Sequence, residues 1–199
     1  MSRYIESIRI EKGIAWNMAF HQARFEHTRS RCLGLDEHPQ LKDSIELAAT
    51  HHQGLAKCRI LYGERIEQIE IVPYERRPVK SIKLVKTDSI DYPYKAEDRA
   101  LLSELFAKRG DCDDILIIRN GWVTDSYVAN AVFWNGRDWH TPLHPLLQGT
   151  MRASLLARGL IKAVPIHAEQ LAKYKKIKLI NAFHTLEEAS ELNMAALVY

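Results

Sequence analysis

The chain has 199 residues, 46% hydrophobic and 27% charged, with 28 basic against 25 acidic side chains for a net charge of +3. These values sit near globular averages and argue against a collagen, a coiled coil or a disordered chain. The charge excess is too small to mark a nucleic-acid surface, so the Arg76-Arg77 and Lys173–Lys178 clusters read as solvated faces. A chain this long buries a core without disulfide or metal staples. Cys32, Cys58 and Cys112 form no CxxC pair, so neither a disulfide framework nor a structural zinc site is indicated. The opening Met1–Arg9 has no apolar stretch of signal-peptide type, and no apolar run approaches the ~20 residues of a membrane span. The sequence therefore reads as soluble and cytoplasmic, with neither nucleic acid nor membrane as partner.

In chain order, residues 4–10 alternate as a strand ending at Lys12-Gly13. Asn17 is placed to cap a helix running to about Cys32 and stopped by Gly34. A weaker helix covers 39–53, with Ile45, Leu47 and Ala48 on its apolar side. The runs Cys58–Tyr62, Ile66–Pro73 and Val79–Val85 alternate and read as antiparallel strands. Residues 86–96 break both periods and read as a crossing between two lobes, before a helix over Glu97–Lys108. Asp114–Arg119 has the continuous apolar centre of a buried strand, and Asn120-Gly121 is a hairpin turn needing positive φ. Asn130–Trp134, a second turn at Asn135-Gly136, and Trp139–Thr141 make another hairpin. A helix over Met151–Arg158 follows Gly149-Thr150. Strands at 161–164 and 177–181 flank a helix near 168–174, and Thr185-Leu-Glu-Glu188 is a capping-box pattern for a last helical turn. The class is α+β, with a small α/β lobe over 1–85 and a larger barrel-like lobe over 90–199.

Nine histidines show no metal-ligand spacing, and His140 and His144 merely flank a proline loop, so no metal site is expected. Dinucleotide, P-loop and nucleophile-elbow motifs are absent from the sequence. Four features stand out in order. They are His21-Gln-Ala-Arg24 within the first helix and Lys95 in Tyr92-Pro-Tyr-Lys-Ala-Glu-Asp. They continue with Gly121-Trp-Val-Thr-Asp125 with Asn130 and Phe133, and with Thr141-Pro142 followed by Leu147-Gln-Gly149-Thr-Met-Arg152. Taken singly, Arg24 reads as the partner of a carboxylate, Lys95 as a surface lysine and Asn130 as a satisfier of buried backbone groups.

Together they resemble the class IV aminotransferase family of fold-type IV pyridoxal-phosphate (PLP) enzymes. That family holds 4-amino-4-deoxychorismate lyase as well as the branched-chain and D-amino acid aminotransferases. Asn181-Ala-Phe183 is similar to a lyase stretch near the C-terminus. The resemblance implies a two-lobed, D-amino acid aminotransferase-like fold, PLP as cofactor, an amino-acid-like substrate and a homodimer. It implies Lys95 as the amine that holds the cofactor and moves the α-proton, with Lys86 as competitor. Asp125 stands where the family carries glutamate and would keep the ring nitrogen protonated. Arg24, Thr150 and Met151 would bind the phosphate, with Asn130 and Asn181 as further neighbours. The strand holding Ile5-Glu-Ser-Ile-Arg9 matches the family almost at Met1, so the family's opening strands and Gly-rich loop are expected to be missing. Arg9, Arg99, Tyr92 and Tyr94 are unranked candidates for a substrate carboxylate. The implied activity is that of a lyase like 4-amino-4-deoxychorismate lyase. The alternatives are an aminotransferase on a branched-chain or D-amino acid, and an inactive relative.

Overall fold

A computed structural model describes residues 2–199. The chain forms two units, one of Met1–Arg76 with Tyr94–Asp98, the other of Arg77–Pro93 with Arg99–Tyr199. The sequence reading ends the small lobe at 85 and gives 94–98 to the larger one. Here the first unit ends sooner and takes back 94–98.

The first unit opens with β1 (Tyr4–Glu11) and β2 (Ile14–Ala15), then α1 (Met18–Leu33), α2 (Leu41–Thr50), β3 (Ala56–Tyr62) and β4 (Ile66–Pro73). Its antiparallel sheet has the order β2-β1-β3-β4, with Tyr4 opposite Tyr62 and Ile10 opposite Ala56. Ile8, Ile10 and Ile60 from the sheet pack with Phe25 of α1 and Leu41 and Ile45 of α2 in one core. Asn17 does not cap α1 through its side chain, contrary to the expectation. It sits in the left-handed region, and its carbonyl accepts from Phe20 and His21 N–H. Asparagine tolerates that conformation better than most residues, so it holds the N-cap position through its backbone alone.

The returning segment 94–98 lies along β1. Ile5 N–H donates to the Lys95 carbonyl at 2.9 Å, Glu97 N–H to the Arg3 carbonyl at 2.8 Å, and Tyr4 bridges Ala96. Glu97 also pairs with Arg3 at 2.7 Å and Arg59 at 3.1 Å. This extended pairing removes the first turn of the expected helix, so α3 spans only Ala100–Ala107.

The second unit contains β5 (Ile82–Thr87), α3, β6 (Asp114–Arg119), β7 (Trp122–Val123), β8 (Asn130–Trp134), β9 (Trp139–Pro142) and α4 (Thr150–Ala157). β10 (Lys162–Val164), a 3-10 helix at Ala168–Lys173, β11 (Lys176–Ile180), β12 (Leu192–Asn193) and β13 (Leu197–Val198) follow. Two sheets, β13-β5-β6-β7 and β10-β9-β8-β11-β12, share one core of Ile82, Leu116, Ile118, Phe133, Ile166 and Ile177. β5 is not an antiparallel neighbour of β4, as alternation had suggested. Pro73 ends β4 and Pro78 interrupts the chain between the two strands. β5 then pairs in parallel with β6 through the crossover that carries α3.

Asn120 and Gly121 both take positive φ, as the hairpin requires. The Asn135 turn differs: its Oδ1 accepts from Arg137 and Asp138 N–H at 2.7 and 2.8 Å, closing a longer loop. The Thr185–Glu188 capping box forms reciprocally at 3.3 and 3.2 Å but supports one turn only.

Candidate active site

Asp125 leaves the β6-β7 hairpin where the chain turns toward β8. Its backbone is fixed to β6, with Ile117 N–H donating to the Asp125 carbonyl at 2.8 Å and Thr124 N–H donating back to Ile117 at 3.0 Å. The side chain is 5% exposed. Its Oδ1 accepts from Asn130 Nδ2 at 2.8 Å and its Oδ2 from Leu147 N–H at 2.8 Å. Burial pushes this carboxyl up to about 6, against the opposing pull of the Leu147 N–H, the Asn130 amide, the Arg152 charge and the Leu146 N–H. Near neutral pH it is thus a largely ionised, desolvated carboxylate, suited to hold a proton on a neighbouring basic nitrogen.

Asn130 spends its amide on Asp125 and on the Leu147 carbonyl, at 2.8 and 2.9 Å. Its Oδ1 lies against Gly149, where a β-carbon would overlap it and approach Cγ to 3.1 Å. Asn130 thereby locks the carboxylate to the loop that leads into α4. That loop ends at Gly149 in extended geometry, and Thr150 and Met151 open the helix. As first-turn residues they direct their N–H groups out of the helix's positive end, which favours an anion. Asn181 follows β11, and its Oδ1 accepts from Phe183 and His184 N–H at 2.9 and 3.1 Å. Its amide reaches the Val128 carbonyl at 3.4 Å. These bonds make it the keystone of a turn beside the 125–130 loop.

In the first unit, the side chain that organises the candidate residues is Glu6, which the sequence reading did not single out. It is fully buried on β1. Arg24 of α1 grips it in two places, Nε to Oε1 at 2.8 Å and Nη2 to Oε2 at 2.6 Å. His21, one turn earlier, brings Nδ1 to Oε2 at 2.6 Å. Burial alone would raise the Glu6 carboxyl, but the Arg24 charge and the bonds from Arg24 and His21 outweigh it and hold it down at about 2. Burial also lowers the His21 imidazole, opposed by Glu6 and assisted by the charges of Arg24 and Lys95. Lys95 therefore stands within electrostatic reach of the Glu6-His21-Arg24 group, its backbone fixed to Ile5 of the same strand. The missed signal was a glutamate inside the apolar strand 4–10, opposite a helix that carries histidine and arginine one turn apart.

Among the described residues, no group of three or more His, Cys, Asp or Glu side chains is placed to hold a metal. No helix among them is long and apolar enough to cross a membrane.

The family description amino-transferase class IV matches residues 4–191. The chain belongs to the class IV aminotransferase family. A relative of this family member is an uncharacterized protein of Haemophilus influenzae, 38% identical over 183 residues that cover 91% of this chain and 97% of that one. A crystal structure from Haemophilus somnus, of a protein provisionally described as a 4-amino-4-deoxychorismate lyase, superposes with a TM-score of 0.89 at 38% identity, covering 94% of this chain and 98% of that one. The PLP-bound form of a hypothetical aminotransferase from Mycobacterium tuberculosis shares the fold at TM-score 0.79 and 16% identity, covering 96% and 80%.

Class IV aminotransferases depend on PLP. Taken unit by unit, the residues present suit that group: the second unit offers a buried carboxylate suited to a ring nitrogen and a helix N-terminus suited to a phosphate, and the first unit an arginine suited to a phosphate and a lysine amine suited to an aldehyde.

Proposed function

We propose that the protein is a PLP-dependent lyase acting on a substrate of the 4-amino-4-deoxychorismate type, releasing pyruvate and 4-aminobenzoate. The observation that carries this reading is the near end-to-end match, at 38% identity and TM-score 0.89, to the Haemophilus somnus protein given that provisional description. Bound PLP supplies an electron sink for the negative charge that develops at the substrate's α-carbon. Lys95 would hold the cofactor through Nζ and, once released, accept the α-proton and return a proton to the departing fragment. Asp125 would keep the ring nitrogen protonated by opposite charge. Arg24, oriented by Glu6, and the Thr150 and Met151 N–H groups would hold the phosphate. Asn130 and Asn181 would act through their neighbours, Asn130 by fixing Asp125 and Asn181 by fixing the 181–184 turn. The same reading includes a homodimer, which sedimentation of the purified protein tests.

The deciding assay supplies 4-amino-4-deoxychorismate without a keto-acid acceptor. Pyruvate released in equal amount to 4-aminobenzoate is the expected result. Turnover only when a keto acid is added would replace the lyase with an aminotransferase.

A further inference from the structure

Arg152 is the third residue of α4, and it is only 4% exposed. A cation in the first turn of a helix faces the positive end of the helix dipole, which disfavours it. A guanidinium that is also buried needs compensation. Its hydrogen bonds go to three neutral acceptors: Nε donates to Thr141 Oγ1 at 3.3 Å, Nη1 to Gln148 Oε1 at 2.6 Å, and Nη2 to the Pro142 carbonyl at 2.8 Å. Among the described residues no carboxylate lies in ion-pair contact with it. The acid whose charge acts on it is Asp125, and burial otherwise weakens its hold on the proton.

The three acceptors lie at the two ends of one loop. Thr141 and Pro142 close β9, and Gln148 stands just before Gly149, the residue from which the helix starts. Between these ends run Leu146 and Leu147, whose N–H groups act on the Asp125 carboxylate, Leu147 at 2.8 Å. Thr141 in turn donates to the Ala131 carbonyl at 3.0 Å, beside Asn130 on β8. The guanidinium therefore ties together the strand, the loop and the helix that surround Asp125. The groups acting most strongly on that carboxylate are the Leu147 and Leu146 N–H, the Asn130 amide and Arg152, and of these only Arg152 carries charge.

We propose that Arg152 is a positioning residue for Asp125: its buried fork holds the 141–148 loop so that backbone N–H groups face the carboxylate, and it brings its positive charge to that same loop. This rests on Asp125 being the cofactor's acidic partner only for its use in catalysis. The coupling itself is a property of the protein chain alone.

The test is therefore made on cofactor-free protein. The Asp125 carboxyl is titrated by carbon NMR, with Asp125→Asn assigning the resonance, in wild type, Arg152→Lys and Arg152→Gln. The midpoint of wild type is expected near 6. Arg152→Gln should raise it by about one unit or more, a tenfold weaker acid, as removal of a close opposite charge does. Arg152→Lys, which keeps the charge and loses the fork, should shift it less than Arg152→Gln. An unchanged midpoint in Arg152→Gln overturns the proposal. Should that variant be too unstable to titrate, adding Asp125→Asn should restore stability at pH 8 by removing the uncompensated anion. Absence of that rescue also overturns it. Failure of wild type to bind PLP would instead strike the functional reading and leave this coupling in place.

Discussion

Replacing Gly149 by alanine places a methyl group where Asn130 now sits. Gly149 has φ −68° and ψ 142°, open to any residue, so the backbone itself carries no penalty. The cost falls on Asn130, whose Oδ1 would overlap the new β-carbon. Asn130 is short and cannot move aside while keeping both of its amide bonds, to Asp125 Oδ1 at 2.8 Å and the Leu147 carbonyl at 2.9 Å. A buried bond to a charged group contributes about 1.5–3 kcal/mol and one between neutral groups about 0.5–1.5 kcal/mol. Loss of glycine's freedom in the unfolded chain returns about 0.4–1 kcal/mol. Gly149→Ala should therefore destabilise the protein by about 1–4 kcal/mol in urea unfolding at pH 8. Asn130→Ala removes the same two bonds and also makes room for the methyl. The double variant should accordingly cost little more than Asn130→Ala alone. Full additivity, or a Gly149→Ala protein as stable as wild type, would refute the interlock.

The two buried carboxylates predict opposite responses to pH. Glu6 is held at about 2, below its unfolded value, so its contribution of about 3 kcal/mol is complete above pH ~4.5 and is lost as pH falls toward 2. Glu6→Gln should flatten the acid limb of the stability curve below pH ~4.5, and an unchanged limb there would contradict this. Asp125 is raised to about 6, so its ionisation removes about 3 kcal/mol of stability as pH climbs from ~4 to 6. Asp125→Asn should abolish that decline, and a curve identical to wild type across the window would refute it. At the hairpin tip, Gly121 has φ +81° and faces His167, whose Cδ2 would lie 3.2 Å from an added β-carbon. Gly121→Ala should cost about 1–3 kcal/mol in thermal unfolding, and an unshifted Tm would mean the tip is not held by His167.

The motif series was legible because each piece makes local structure. Asn120-Gly121 turns the chain whatever surrounds it, and Gly149 opens a helix by leaving space. The family resemblance carried by that series pointed to Asp125. Its pKa was not legible, because that depends on Leu146, Leu147 and Arg152, brought to it by the fold from positions far along the chain. Glu6 escaped notice for a related reason. Strand alternation alone cannot separate a glutamate facing solvent from one turned inward to meet His21 and Arg24. β5 was misplaced because an alternating run signals a strand without naming its partner. Its parallel pairing with β6 is a choice made by the crossover. β13 is two residues long, too short to carry a periodic signal, and exists only because β5 offers it an edge.

The most direct measurement is made on purified protein incubated with PLP, then treated with borohydride and mapped by peptide mass. A visible absorption band and a reduced adduct on Lys95, both absent from Lys95→Ala, are the predicted results. A protein that stays colourless, or an adduct that forms on Lys86 or another lysine with Lys95 replaced, would contradict the assignment of Lys95 as the cofactor-holding residue.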